Sequence, residues 1–143
     1  MSIKRFNLRV YGICINENNE ILLSDERYVG RSFTKFPGGG VEWGEGFTEC
    51  LKREFKEEFD LDVAVGELFY LTDFFQASAF SEHDQIVSIY YRVQLPEIPM
   101  NFPILGDKDE QLRWHSLANF SAENVTFPID KHVAQLIIHA LTD

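Results

Sequence analysis

The chain is short of cysteine, of positive charge and of long apolar runs, and each shortage narrows what it does. It has two cysteines, Cys14 and Cys50, and no C-x-x-C pair. That argues against a disulfide framework or a zinc ribbon, and two reduced thiols fit a cytoplasmic protein. The four histidines, His83, His115, His132 and His139, show no zinc spacing. Lys and Arg number 13 against 23 Asp and Glu, for a net charge of −10 and a pI near 4.8. Such a chain repels long polyanions, so no nucleic acid polymer is expected as a partner. No apolar run is long enough to span a bilayer, and no positively charged start precedes an apolar stretch. The expectation is therefore no membrane partner and no secretion. Internal repeats, low-complexity tracts and linker-like stretches are also missing.

What remains suits one domain over residues 1–143. Hydrophobic residues make up 45% of the chain and 13 of them are phenylalanines, enough for a real core. A homodimer is compatible with this composition. Residues 6–15 are apolar and β-branched enough for a strand. Asn16–Asn19 is turn chemistry, and a second strand from Ile21 to Ser24 would make a hairpin with the first. Residues 26–33, ERYVGRSF, read as a polar loop before Lys35-Phe36-Pro37 and the glycines Gly38, Gly39 and Gly40. A helix is expected from about Phe47 to Phe59. Strands follow over 62–76 and 85–95, with a short one at Leu112–His115. Residues 129–142 make a closing amphipathic helix with Pro128 at its start. This order predicts an α+β domain in which helices flank a mixed sheet.

The segment 38–61, GGGVEWGEGFTECLKREFKEEFDL, carries the chemistry. A glycine run lets bare backbone approach a phosphate or metal. Glu54, Glu57 and Glu58 are spaced i, i+3, i+4, so a helix puts them on one face. Advancing about 100° per residue from Glu54, Phe47, Leu51, Phe55 and Phe59 fall near 20°, 60°, 100° and 140°. Glu54 and Glu58 fall near about 0° and 40°, at the margin of that apolar stripe and away from the lysines. Carboxylates at a core margin need a partner. Arg53 and a hard divalent cation are the candidates, since Mg²⁺ takes oxygen ligands shared with a substrate phosphate. A plain surface helix with Glu49–Arg53 pairing leaves Glu58 unexplained. Seven acids of the segment (Glu42, Glu45, Glu49, Glu54, Glu57, Glu58, Asp60) outweigh Lys52, Arg53 and Lys56, for a local charge of −4.

On these residues the chain resembles the Nudix hydrolase family. Gly39 is followed by five residues and Glu45, and seven more lead to Arg53-Glu54-Phe55-Lys56-Glu57-Glu58-Phe59-Asp60-Leu61. Every position of the family pattern is matched except Asp60, where the family has glycine. The resemblance implies an α/β/α sandwich with a loop-helix-loop catalytic segment, and Mg²⁺, with Mn²⁺ as the alternative, as cofactor. It implies Glu54, Glu57, Glu58 and the Gly38 carbonyl as metal ligands. Glu54 would act as or support the general base, Arg53 would orient a glutamate, with Glu45 its partner, and Gly39 would let the backbone turn. The implied reaction cleaves the diphosphate of a small nucleoside diphosphate linked to another group X.

Outside the box, Asp107, Asp109 and Glu110 either supply the further loop acid such enzymes recruit or form an acidic surface loop. Arg27 and Arg31 could bind substrate phosphates, with Tyr28 or Phe33 stacking on a base, or they belong to a solvated loop. Phe127 and Asp130 start the last helix, where relatives read the base, although capping explains the acid equally well. The rival reading is a Nudix-like regulatory domain that binds a nucleotide without cleaving it. Such domains usually lose box carboxylates, and this chain keeps them all.

Overall fold

The computed structural model describes residues 2–103 and 109–142. Strands β1 (Arg5–Ile13), β2 (Glu20–Tyr28), β3 (Arg31–Lys35) and β4 (Gly38–Gly40) precede helix α1 (Phe47–Phe59). Strands β5 (Ala64–Leu71), β6 (Asp84–Gln94) and β7 (Glu110–Ser116) then lead through two short 3₁₀ turns to α2 (Pro128–Leu141). One sheet has the order β4-β1-β6-β5 and the other β3-β2-β7. β1 and β6 run parallel and every other named pair is antiparallel. The fold is α+β, with mixed and antiparallel sheets flanked by two helices, as the sequence predicts. Among the described residues no helix is long and apolar enough to cross a membrane.

Successive residues of a strand point to opposite faces, and here both faces are covered. Val10 and Cys14 of the first segment, Leu22 of β2 and Ile89 and Val93 of β6 pack with Cys50, Leu51, Phe55 and Phe59 of α1. Their neighbours Tyr11, Ile13, Ile21, Leu23 and Tyr90 pack instead with Ile129, Val133, Ala134 and Ile137 of α2. α1 is therefore on one side of the sheets and α2 on the other.

Two expectations need correction. β1 and β2 do not form a hairpin. Asn16 does reverse the chain, its side-chain oxygen accepting from the N–H groups of Asn18 and Glu20 at 3.0 Å. Beyond the Ile15–Ile21 bridge the strands separate into different sheets, where each finds longer ladders. Residues 26–33 are a hairpin rather than a loop. Val29 and Gly30 form its two-residue turn with φ of 52° and 72°, the pairing of positive φ values that matches strand twist. Its polar side chains answer one another across the ladder, as in the 2.6 Å bond from Thr34 to Asp25, so the run lacks an apolar alternation. The glycine run is likewise a strand, with Val10 opposite Gly39 and Tyr11 opposite Gly38. Smaller differences are that β5 is shorter than 62–76 and that β7 begins at Glu110, two residues before the expected strand.

Candidate active site

The glycines of β4 explain how α1 comes so close. A Cβ on Gly39 would collide with the Glu54 carboxylate, and one on Gly38 (φ +152°) with the backbone of Val10 and Tyr11. Gly39 has no positive φ. It is glycine because a buried carboxylate lies on its backbone, and not, as the family resemblance implied, because the chain turns there.

Arg53 ties the segment together. Its Nε and Nη2 donate to the two carboxylate oxygens of Glu45 at 2.9 and 2.7 Å, and Nη2 also reaches the Gly40 carbonyl at 2.9 Å. Nη1 reaches Glu54 and Glu57 at 3.1 Å each. This fork geometry is one that arginine supplies and lysine cannot. The bond from Arg53, helped by the Glu42 backbone N–H, holds Glu45 down at about 2.

The three box glutamates do not converge equally. Glu54 is buried against Gly39, while the Glu57 side chain is 57% exposed and bonded to Arg53. Glu58 turns away from the helix toward the second sheet. There it meets Glu26 of β2 and Glu110 of β7, and carboxylate oxygens of all three lie within 4.8 Å of one another. Glu26 and Glu110 sit directly opposite each other in the β2–β7 ladder, a like-charge pairing that costs stability unless something neutralises it. Oε2 of Glu58 and Oε2 of Glu110 are buried with no hydrogen-bond partner. Burial first, then the neighbouring carboxyls of Glu54 and Glu110, push the Glu58 carboxyl up to about 10. Clustered hard oxygen donors with unsatisfied lone pairs fit a divalent cation such as Mg²⁺ or Mn²⁺.

Glu26 has a second neighbour. Lys35 Nζ lies 2.9 Å from its Oε2 and also donates to the carbonyls of Gly38 and Phe36 at 3.2 and 3.4 Å. Glu26 and Lys35 both line a cavity of about 710 Å³ on the α2 side. Phe33, Phe80 and Phe127 form an aromatic wall to it, with ring centroids 5.0 to 5.8 Å apart. The acid cluster and a pocket of small-molecule size thus share a boundary.

The NUDIX domain family model matches residues 5–136. The chain belongs to the Nudix family. Solved structures agree at the level of the fold. A MutT protein from Methanosarcina mazei Go1 superposes with a TM-score of 0.73 at 18% identity, covering 98% of this chain and 97% of that one. A MutT structure from work on Aliivibrio salmonicida and Vibrio cholerae gives 0.66 at 24% identity, over 96% and 99%. A UDP-X diphosphatase gives 0.63 at 17% identity, over 94% of this chain and 63% of that one.

Outside the Nudix box the expected residues scatter. Arg27 is exposed and does not line the cavity. Arg31 is also outside the lining, with its guanidinium 5.1 Å from the Phe80 ring. Tyr28 lines the mouth, edge-on to Phe80 at 5.3 Å. Phe127 is in the aromatic wall. Asp130 is not an exposed cap: it is buried, lines the cavity, and accepts a 2.5 Å bond from the Tyr90 hydroxyl. Burial raises its carboxyl to about 6, with the Tyr90 bond acting in the opposite direction. Of the three loop acids, Glu110 is in the cluster, Asp109 is exposed, and Asp107 lies outside the described residues. Sequence reading missed Glu26, Lys35 and Arg9, a further cavity residue. No local pattern marks them, because strand register brings them to the site.

Proposed function

We propose that this Nudix protein is a Mg²⁺-dependent pyrophosphohydrolase, with Mn²⁺ as the alternative metal. It cleaves the diphosphate of a small nucleoside diphosphate linked to X: a nucleoside triphosphate, a nucleotide sugar or an ADP-ribose type of substrate. The observation that carries this reading is the pair of buried, unpartnered oxygens on Glu58 and Glu110 beside a cavity with an aromatic wall. Glu54, Glu58 and the Gly38 carbonyl would hold the metal, with Glu57 entering from the helix surface and Glu110 from β7. Bound there, a divalent ion would offset the diphosphate's charge and make a water molecule more acidic.

The chain's own groups supply the rest. Glu54 or Glu110 accepts a proton from the water that attacks phosphorus in line, and the bond from phosphorus to the departing phosphate oxygen breaks. The products are a nucleoside monophosphate and phosphorylated X, or pyrophosphate where X is phosphate. Arg53, fixed by Glu45, holds Glu54 in place. Phe33, Phe80 and Phe127, with Tyr28 at the mouth, supply faces for a base to stack on. A substrate panel with Mg²⁺, read by phosphate release with and without added phosphatase, tests the reading. Release only with phosphatase present supports cleavage between phosphates, and no release from any substrate sinks it.

A further inference from the structure

Fixed positive charge is scarce in this cavity. Arg53 is occupied within the box by Glu45, Glu54, Glu57 and the Gly40 carbonyl. Lys35 is occupied by Glu26 and two backbone carbonyls. Arg27 and Arg31 are outside the lining, and Arg9 is inside it.

Arg9 lies on the central strand β1, two residues before Tyr11, so both side chains share the α2 face. Its Nε donates to the Tyr11 hydroxyl at 2.6 Å, and its guanidinium carbon is 5.7 Å from the Tyr11 ring centroid. Across the ladder stands Gly40, where a Cβ would meet Nη1 at 3.6 Å. No side chain of β4 therefore covers that end of the fork. A guanidinium has five N–H donors and stays charged at any working pH. Among the described residues only Nε has a hydrogen-bond partner. A charged, oriented fork with its terminal donors open to a cavity suits a tetrahedral oxyanion.

We infer that Arg9, oriented by Tyr11, is an anion subsite of the cavity that grips a phosphate oxygen of the substrate. The inference rests on the diphosphate reading above for the kind of anion. The acid cluster repels a bare diphosphate, so the phosphate that does not sit on a metal needs its own cation. Arg9 supplies it and fixes where the diphosphate lies relative to Glu26, Glu58 and Glu110.

The test is equilibrium binding of inorganic pyrophosphate in EDTA, by calorimetry, to the wild-type protein and to Arg9→Gln, Arg9→Lys, Tyr11→Phe and Arg27→Gln. Arg9→Gln should weaken binding about 10- to 100-fold, the scale of charged hydrogen bonds. Arg9→Lys, which keeps the charge and loses the fork, should fall between. Tyr11→Phe should weaken binding less, and Arg27→Gln should match wild type. Pyrophosphate affinity unchanged in Arg9→Gln, or no pyrophosphate binding by wild type, overturns the subsite. If Arg9→Gln does not fold, wild-type affinity in both Arg9→Lys and Tyr11→Phe overturns it instead. The two readings fail separately. Arg9-dependent pyrophosphate binding by a protein that hydrolyses nothing keeps the subsite and sinks the reaction. Hydrolysis with an unchanged KM in Arg9→Gln does the reverse.

Discussion

The ammonium of Lys35 lies 2.9 Å from the Glu26 carboxylate, and the two side chains are only 6% and 12% exposed. A charge pair this dry is costly to break from one side, because the survivor stays buried alone. Lys35→Met should lose about 3–5 kcal/mol of stability, more than the double variant Lys35→Met/Glu26→Gln. Urea denaturation of the three proteins decides this. Equal losses in the single and double variants would show that the pair is not coupled.

Metal removal should stop the reaction without unfolding the protein. EDTA should abolish hydrolysis and Mg²⁺ or Mn²⁺ should restore it. Burial holds the Glu58 carboxyl up at about 10, so Glu58→Gln resembles the protonated state and should leave the fold intact while turnover drops by orders of magnitude. Full hydrolysis by a metal-free sample would falsify this mechanism.

Glu110 and Asp109 should behave differently despite being neighbours. Glu110→Ala should cost about 10²–10⁴-fold in turnover, the range for loss of a general base, and Asp109→Ala should stay close to wild type. If Glu110→Ala keeps normal turnover, the base lies within the box and Glu54 is its candidate.

Asp60 stands where the family has glycine, and it ends α1 in the left-handed conformation, with φ 53° and ψ 41°. Glycine adopts that conformation at lower cost. Asp60→Gly also removes a negative charge from the negative end of the helix dipole. Against this it loses the exposed Lys56 contact at 3.5 Å, a type worth about 0–1 kcal/mol. The substitution should leave stability unchanged or raise it by under about 1 kcal/mol, with turnover little affected. A denaturation midpoint and a steady-state assay check both, and a large loss of activity would assign Asp60 a functional role.

The Asp130 carboxyl gives the protein a pH signature. Burial raises it from 3.8 to about 6, so the folded state holds a proton that the unfolded state releases. Its contribution is fully present below about pH 4 and is lost as pH rises through about 6. Between those values Asp130→Asn should lose less stability than wild type as pH rises. Chemical denaturation at several pH values across that window measures the difference, and parallel curves would show that Asp130 is already ionised in the folded protein.

The box was legible in the sequence because its contacts are local. Helical spacing sets Glu54 and Glu58 beside the apolar stripe of Phe55 and Phe59, and eight residues of chain bring Glu45 to Arg53. The covering helix α2 was legible for the same reason, from its apolar spacing after Pro128. The pairing of β2 with β7, which sets Glu26 against Glu110, was not. It depends on which distant strands complete one another's ladders, and a strand carries no mark of its partner. Glu26 read as loop because its run lacks an apolar alternation, and its pairing with Lys35 follows only once β2 and β3 are known to form a hairpin. Arg9 stands in the expected strand 6–15 with nothing in its local sequence to single it out. Local spacing alone was enough to assign the family and the acid face of α1. Only the tertiary structure decided that Glu58 meets Glu26 and Glu110, and that Arg9 lines the cavity beside them, because strand register is a non-local choice made by the packing of two cores.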